Sequence, residues 1–558
     1  MIFKKLFLIL IAPICLLPIL FLKSTFDFSE INAQSNPYPI QIGTLYDNDA
    51  VEESARPDGP GGSWYYLNPN EPNLPPNDGK QYRHSTPIFG LYEAKDPKII
   101  KQHAYWLTSA GFDHVIVAWT NLKARDDPDN QGQYREWTEG VKEALDSLLN
   151  TYSQITDFSV PKVTVAIRMQ PPDVNLNATR IANEVYEFYQ RYPDLFFKFD
   201  DGTINKNKPV LIVFFDDTNC AWTQSQQWND TRFHNKFTNG YFWGKCGGGY
   251  FEPQGFIKDN LAYWLFVENS KLSNGEYRDL YKRQSPTERQ QMAIWIGVHQ
   301  SGLDWDYWGK VWNGKTTFEH QLANVLPSVP RALWINRFNY YSSWYSQPQE
   351  GLTEIRSASF EPTTTMGFEK IYTVTKAAYS LKSLSKTPPL KSQVEVINIS
   401  SDKATISFFS SLKDLKDLNY PQEYAISSNP NQTGAWKFIN VNDKNIEVNL
   451  NGNDTFYLAL RNAFGISPTT EVNIEISPPL NLSPGWNQIT WPDILNYTAK
   501  TALEDIDNDC GAGTAAVIAT RKKDWWEKYV QNYGGENFSL QSNQSYHIKV
   551  NKSCNWTP

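Results

Sequence analysis

Between residues 37 and 380 the chain alternates two hydrophobic patterns. Short, nearly continuous apolar runs give way to stretches where apolar residues recur every three or four positions. The first pattern predicts strands buried on both faces, and the second predicts amphipathic helices. Strands are expected at 40–46, 114–119, 162–167, 209–215, 261–267, 292–298 and 332–338, with helices at 96–110, 137–149 and 178–192. The first helix has the sharpest ends: Asp96-Pro97 supplies an N-cap and a first-turn proline, and Gly111 a stop. Its residues Ile99, Ile100, His103, Trp106 and Leu107 share one face. About eight such strands over roughly 340 residues predict an α/β fold, a closed TIM-type (β/α)8 barrel. A polar Pro/Gly/Asn-rich insertion at 48–87 interrupts it early. No Gly-rich phosphate loop follows any strand, which disfavours a nucleotide-binding sheet.

The pattern changes at Thr387-Pro388-Pro389. Residues 390–477 lose the helical period, and apolar or alternating runs at 394–397, 404–409, 446–450 and 456–461 predict a small all-β sandwich. Within it, FYLALRNAFGIS resembles the late strand and turn of fibronectin type III domains. Residues 480–558 read as a second small all-β module, an accessory for surface attachment or glycan contact, or a structural cap. The expected organisation is a leader at 1–36, a barrel at 37–385, a sandwich at 390–477 and a module at 480–558.

The N-terminus adds a location. Lys4 and Lys5 precede an uncharged apolar run over 6–22, and a polar stretch follows, which is the order of an export signal. The run is long for a cleaved signal and short for a spanning helix, so removal and retention as a membrane anchor both stay open. A secreted or cell-surface protein is expected. Cys15 lies inside the run and reads as packing; Cys220, Cys246, Cys510 and Cys554 remain. An even count in an exported chain favours disulfides, and of the three pairings the local ones, Cys220–Cys246 and Cys510–Cys554, are expected. No Cys or His cluster has metal-ligand spacing, and no cofactor is expected. The net charge of -8 argues against a nucleic-acid partner. Aromatic residues make up 14%, including 20 Trp, so rings are available both for cores and for the apolar faces of sugars.

In a (β/α)8 barrel, function sits at the C-terminal strand ends. The residues there are Asp47, Trp119, Gln170, Asp216-Asp217, Glu268, His299 and Asn339-Tyr340, with Glu361 after a further loop. Amides and acids bind hydroxyls, rings cover sugar faces, and paired carboxylates can break a glycosidic bond. Asp216, Asp217, Glu268 and Glu361 are the catalytic candidates. Asp47, Trp119, Gln170, His299, Asn339 and Tyr340 are the substrate-binding candidates.

One stretch, HSTPIFGLYEAKDPKIIKQHAYWLTSAGFDHVIVAWTN, resembles the first βα unit of family 99 glycoside hydrolases. His84, Tyr92, Asp96, His103, Gly111 and Trp119 match that pattern, with Glu93 in place of the family's Asp. VTVAIRMQPP, KPVLIVFFDD, INRFNYY and FEPTTTMGFEKIY extend the resemblance to roughly 40–375. It implies a TIM barrel, no obligate metal and a glycan or polysaccharide substrate. The family's catalytic Phe-Asn-Glu-Trp-His-Glu reads here as Phe338-Asn339-Tyr340-Tyr341-Ser342-Ser343, so Tyr340 and Ser343 replace both acids. Gln170 likewise replaces a glutamate. Neither tyrosine nor serine protonates a leaving group well near neutral pH. Three expectations follow: a monomeric glycosidase with relocated acids, a barrel that binds glycan without cutting it, or a surface structural protein without sugar affinity.

Overall fold

The computed structural model describes residues 39–46, 81–83, 87–90, 92–119, 133–169, 174–215, 228–239, 291–295, 311–312, 315–316, 318–319, 322–323, 330–336, 338, 342–344, 359–364, 366–399, 403–430, 433–450, 455–474, 480–491, 497–541 and 543–556. The leader run at 6–22 lies outside them. Among the described residues, no helix is long and apolar enough to cross a membrane.

Seven parallel strands form one sheet: β1 (Gln41–Tyr46), β3 (His114–Trp119), β4 (Lys162–Met169), β5 (Val210–Phe215), β6 (His234–Asn239), β7 (Gln291–Trp295) and β10 (Ala332–Asn336). Short ribbons account for β2 (Gln81–Arg83) with β11 (Ser342–Trp344), and β8 (Val311–Trp312) with β9 (Lys315–Thr316). The sheet order is β6-β5-β4-β3-β1-β10-β7. This is chain order bent into a ring: β1 lies between the second parallel strand and the last. The edge strands, β6 and β7, are consecutive in the described sheet, and the run at 261–267, predicted as a strand, falls between them and outside the described residues. The arrangement is that of a TIM-type barrel.

Helices cover the outer face. They are α1 (Pro97–Ser109), α2 (Gln133–Gln154), α3 (Val174–Arg191) and α4 (Glu369–Leu381). The ends of α1 are as predicted. The Asp96 carboxylate accepts from the Lys98 amide at 2.8 Å, and Gly111 follows at φ +83°, a conformation costly for any residue with a Cβ. Period-2 alternation sorts the strand residues: Ile42, Tyr46, Val115, Val117 and Trp119 join the helix-facing core, while Leu45, Ile116, Ala166, Ile212 and Trp334 fill the interior.

The N-terminal end of the barrel is plugged. Residues 195–199 run across the starts of β4 and β5, with Val163 N donating to Leu195 O at 2.7 Å and Val210 N to Phe197 O at 2.8 Å. Phe197 and Phe199 join the interior cluster, and His114 stacks on Phe197 at 3.9 Å between ring centres. Trp334 Nε1 donates to His114 Nε2 at 3.1 Å. The ring fits because position 43 is glycine: a Cβ there would lie 2.1 Å from His114 Nε2.

The strand β6 is absent from the sequence reading. Its HNKFTN sequence has no apolar run. Its polar interior residues are held by Asp201, whose Oδ2 accepts from His234 Nε2 and Lys236 Nζ, both at 2.9 Å.

The predicted β-sandwich is present as two antiparallel sheets. One holds β12 (Glu395–Ile399), β13 (Lys403–Ser407) and β16 (Asn445–Asn449). The other holds β14 (Glu423–Ser427), β15 (Lys437–Phe438), β17 (Thr455–Asn462), β18 (Gly465–Ile466) and β19 (Thr470–Asn473). A short helix, α5 (Leu412–Asp417), is capped by Ser411. The sandwich packs directly on the barrel. Gln102 of α1 donates through Nε2 to Ile439 O at 3.1 Å and accepts through Oε1 from Val441 N at 2.8 Å. Phe438 meets Phe89 at 4.9 Å between ring centres, and Tyr372 of α4 donates to Glu423 at 2.7 Å.

The terminal unit has its own apolar cluster around Trp491, Ile518, Ile548 and Trp556. Strands β20 (Leu480–Leu482) and β26 (Cys554–Trp556) pair, and β21 (Gly485–Thr490), β25 (Ser545–Val550), β22 (Ala515–Arg521), β23 (Trp526–Val530) and β24 (Gly534–Gly535) form a five-stranded antiparallel sheet in that order. The unit adds a helix that the sequence reading did not include, α6 (Ala499–Cys510), capped by Thr498 and buried through Ala502, Leu503 and Ile506. The predicted Cys510–Cys554 disulfide is formed. Cys220 and Cys246 lie outside the described residues.

Candidate functional site

The parallel ring points every strand toward one face. Strand β5 ends at Phe215, and Asp216 and Asp217 follow it directly in sequence. These two acids lie outside the described residues, as do Asp47, Gln170, Glu268, His299, Asn339 and Tyr340. Trp119 is described. It is only 1% exposed and belongs to the helix-facing core, so its ring packs between sheet and helices.

Glu361 is the best-defined candidate. It ends up in the layer between β1 and α1, with a buried polar set around it. Tyr46, the last residue of β1, meets His103 Nδ1 through its hydroxyl at 2.8 Å. His103 Nε2 meets Glu361 Oε1 at 3.0 Å, and the Tyr92 hydroxyl donates to Glu361 Oε2 at 2.8 Å. The His103 and Glu361 side chains are fully buried. Burial, reinforced by Tyr152 and Glu361, pushes the Tyr46 hydroxyl well above the usual phenol range, so it keeps its proton. The hydrogen-bond arithmetic then closes: Tyr46 donates to Nδ1, Nε2–H donates to Glu361, and Tyr92 donates to the second carboxylate oxygen. Both oxygens of Glu361 are engaged by protein groups.

These contacts hold the stem of a loop. Phe338 N donates to Leu45 O at 3.0 Å, extending the path of β10 along β1. Ser359 Oγ, Phe360 N and Glu361 N all donate to Phe338 O. Phe338 and Ser359, which flank residues 339–358 in sequence, are thus fastened together. Between them β11 pairs antiparallel with β2, placing Ser343 opposite Tyr82. The loops that follow the first and last strands are therefore joined in a ribbon.

Sequence reasoning missed the polar groups at the opposite end. Asp201 accepts from the Thr203 amide and hydroxyl as well as from His234 and Lys236. Burial alone would raise its pKa, but these hydrogen bonds and the Lys236 charge outweigh it and hold the carboxyl well below the ordinary range. Burial lowers Lys236 to about 8 against the pull of Asp201. His114 is lowered by burial, and by Lys382, to about 3. Its Nδ1 is buried without a hydrogen-bond partner. A polar strand such as HNKFTN beside an acid-rich turn, FDDG, is the only signal the sequence offered. Among the described residues, no group of three or more His, Cys, Asp or Glu is placed to hold a metal ion.

Neither a protein-family model nor a curated protein matches the sequence. Solved structures similar to this chain include a GH99 endo-alpha-mannosidase from Bacteroides thetaiotaomicron at 12% identity, covering 62% of this chain: a complex with BIS-TRIS-propane, at a TM-score of 0.37 and 96% of that chain, and a second structure, at 0.36 and 97%. A glycoside hydrolase-like protein is similar at 8% identity and a TM-score of 0.31, covering 64% of this chain and 99% of that one. A beta-glucuronidase from Bacteroides uniformis is similar at 9% identity and a TM-score of 0.27, covering 84% and 58%.

Proposed function

We propose that this chain is an exported glycoside hydrolase-like protein acting on a polysaccharide or glycan. The observation that carries the reading is the ring order of the parallel strands, because it gathers the strand-end loops on one face. Asp216 and Asp217 follow β5 directly, and Glu268 follows the expected strand at 261–267. In this reading two of these three serve as general acid and as base or nucleophile. Asp47, Gln170, His299, Asn339 and Tyr340 bind sugar hydroxyls. Glu361, engaged on both oxygens, is a positioning residue that fastens the 339–358 loop.

The test is release of new reducing ends from mannans, glucans and other glycans. Two of the three variants Asp216→Asn, Asp217→Asn and Glu268→Gln are expected to abolish it without lowering the melting temperature. Activity that persists unchanged in all three variants overturns the assignment. A second reading, binding without cleavage, is favoured by Tyr340 and Ser343 at the positions where the resembling family has glutamates. Calorimetric affinity for a glycan with no turnover would select it.

A further inference from the structure

We propose that the solvent face of the terminal sheet is a second, separate glycan site that takes an extended acidic polysaccharide. The choice of a glycan over other anionic polymers rests on the function proposed above; the site itself rests on the following geometry.

The five-stranded sheet has two unlike faces. Ile489, Tyr546, Ile548, Val550 and Ile518 point to one side and form the buried core with α6. The register fixes what lies on the other side. Trp486 stands opposite Lys549, Gln488 opposite His547, Ala519 between His547 and Lys528, and Arg521 opposite Trp526. Directly opposed residues share a face, so Trp486, His547, Lys549, Arg521, Trp526 and Lys528 all project outward together. The Trp526 and His547 rings confirm this, meeting edge to face at 5.0 Å between centres.

Two features of this face suit a ligand. Trp486 is 57% exposed and Trp526 is 49% exposed, on a unit that buries Trp491 and Trp556 completely. Large rings left in water cost apolar stabilisation, and flat rings suit the C–H faces of pyranoses. The charge is also segregated. Lys549, Lys528 and Arg521 lie on the open face, whereas Glu504, Asp505, Asp507 and Asp509 lie on α6, on the other side of the sheet. On a chain of net charge -8, a cationic strip with no acid at its outward strand positions selects an anionic ligand. The two tryptophans are three strands apart across the sheet and four residues apart along it. That is about 14 Å in each direction, or roughly 20 Å on the diagonal. Such a span fits a polymer crossing the strands, with rings at its ends and cations between, and not a single sugar.

The experiment uses the full chain with polygalacturonate as the acidic polymer, glucomannan as the neutral one, and vesicles of anionic lipid as a non-glycan anionic surface. Affinity electrophoresis and calorimetry are expected to show binding to polygalacturonate, weakened at least roughly tenfold by Trp486→Ala with Trp526→Ala, and by Lys528→Gln with Lys549→Gln. Only the second pair is expected to lower the salt dependence as well. All four side chains are solvent-facing, so melting temperature is expected to hold; a double variant that fails this check is replaced by its two single substitutions. Unchanged affinity in the variants, equal affinity for glucomannan, or binding to the vesicles alone overturns the proposal. Asp216→Asn is expected to leave polygalacturonate binding intact, so failure of the barrel chemistry and failure of this face are read separately.

Discussion

Two of the buried histidines of the barrel, His103 and His114, are accommodated differently. Beside the end of β1, His103 has a partner on each nitrogen, and its carboxylate partner is itself held by Tyr92. At the plugged end, His114 has one nitrogen facing Trp334 and the other without a partner. The first arrangement is a polar set that fastens a loop next to the strand ends. The second is a ring used for its shape, stacked on Phe197 and filling the space that Gly43 leaves. A polar side chain in a core is therefore not by itself a sign of chemistry; its partners decide whether it orients something or fills something.

The comparison is broken most severely at Glu361. Glu361→Ala leaves the His103 and Tyr92 donors buried without their acceptor, and at about 1–3 kcal/mol for each a loss of about 2–6 kcal/mol is expected in chemical denaturation. Glu361→Gln keeps one acceptor and is expected to cost less. If the alanine variant is as stable as the parent, Glu361 does not hold the fold. Next comes Gly43→Ala, which drives a methyl into the His114 ring. A loss of about 1–3 kcal/mol is expected from the overpacking, and His114→Ala in the same chain is expected to recover part of it.

The third effect is a slope with pH and not a fixed loss. His114 titrates at about 3 in the folded chain against 6.5 in the unfolded chain. Between those values the unfolded state holds the extra proton, so stability rises with pH in that window and falls on acidification. The contribution is about 1.4 kcal/mol per pH unit. His114→Phe is expected to flatten the denaturation midpoint against pH between 6.5 and 4; an unchanged slope assigns the acid sensitivity to other groups. Asp201 acts in the same sense but lower: its depressed pKa contributes stability above the ordinary aspartate value that is lost as pH falls further.

The barrel was legible where sequence period and burial agree. β3 and α1 fall almost where their patterns place them, because their strands and caps need no distant partner. β6 was not legible, because its inward residues are made acceptable by Asp201, remote in sequence and supplied by a loop. α6 was missed because its only apolar stripe is Ala499, Ala502, Leu503 and Ile506 among four acids. Glu361 stands out in the sequence only as an acid after a further loop beyond the last strand. Its side-chain direction depends on Tyr92 and His103, contacts 269 and 258 residues away, which no local pattern records.

The way Gln102 grips the sandwich decides where this gene can be divided. A chain stopped near residue 385 would strip Ile439 and Val441 from that amide and uncover Phe89 and Trp106, where Phe438 now rests. The barrel and the sandwich thus share one seam, and a cut within 382–394 is expected to expose the apolar surface that Phe438 covers. The terminal unit closes around its own Trp491 and Trp556 and its own disulfide, so its core owes nothing to that seam.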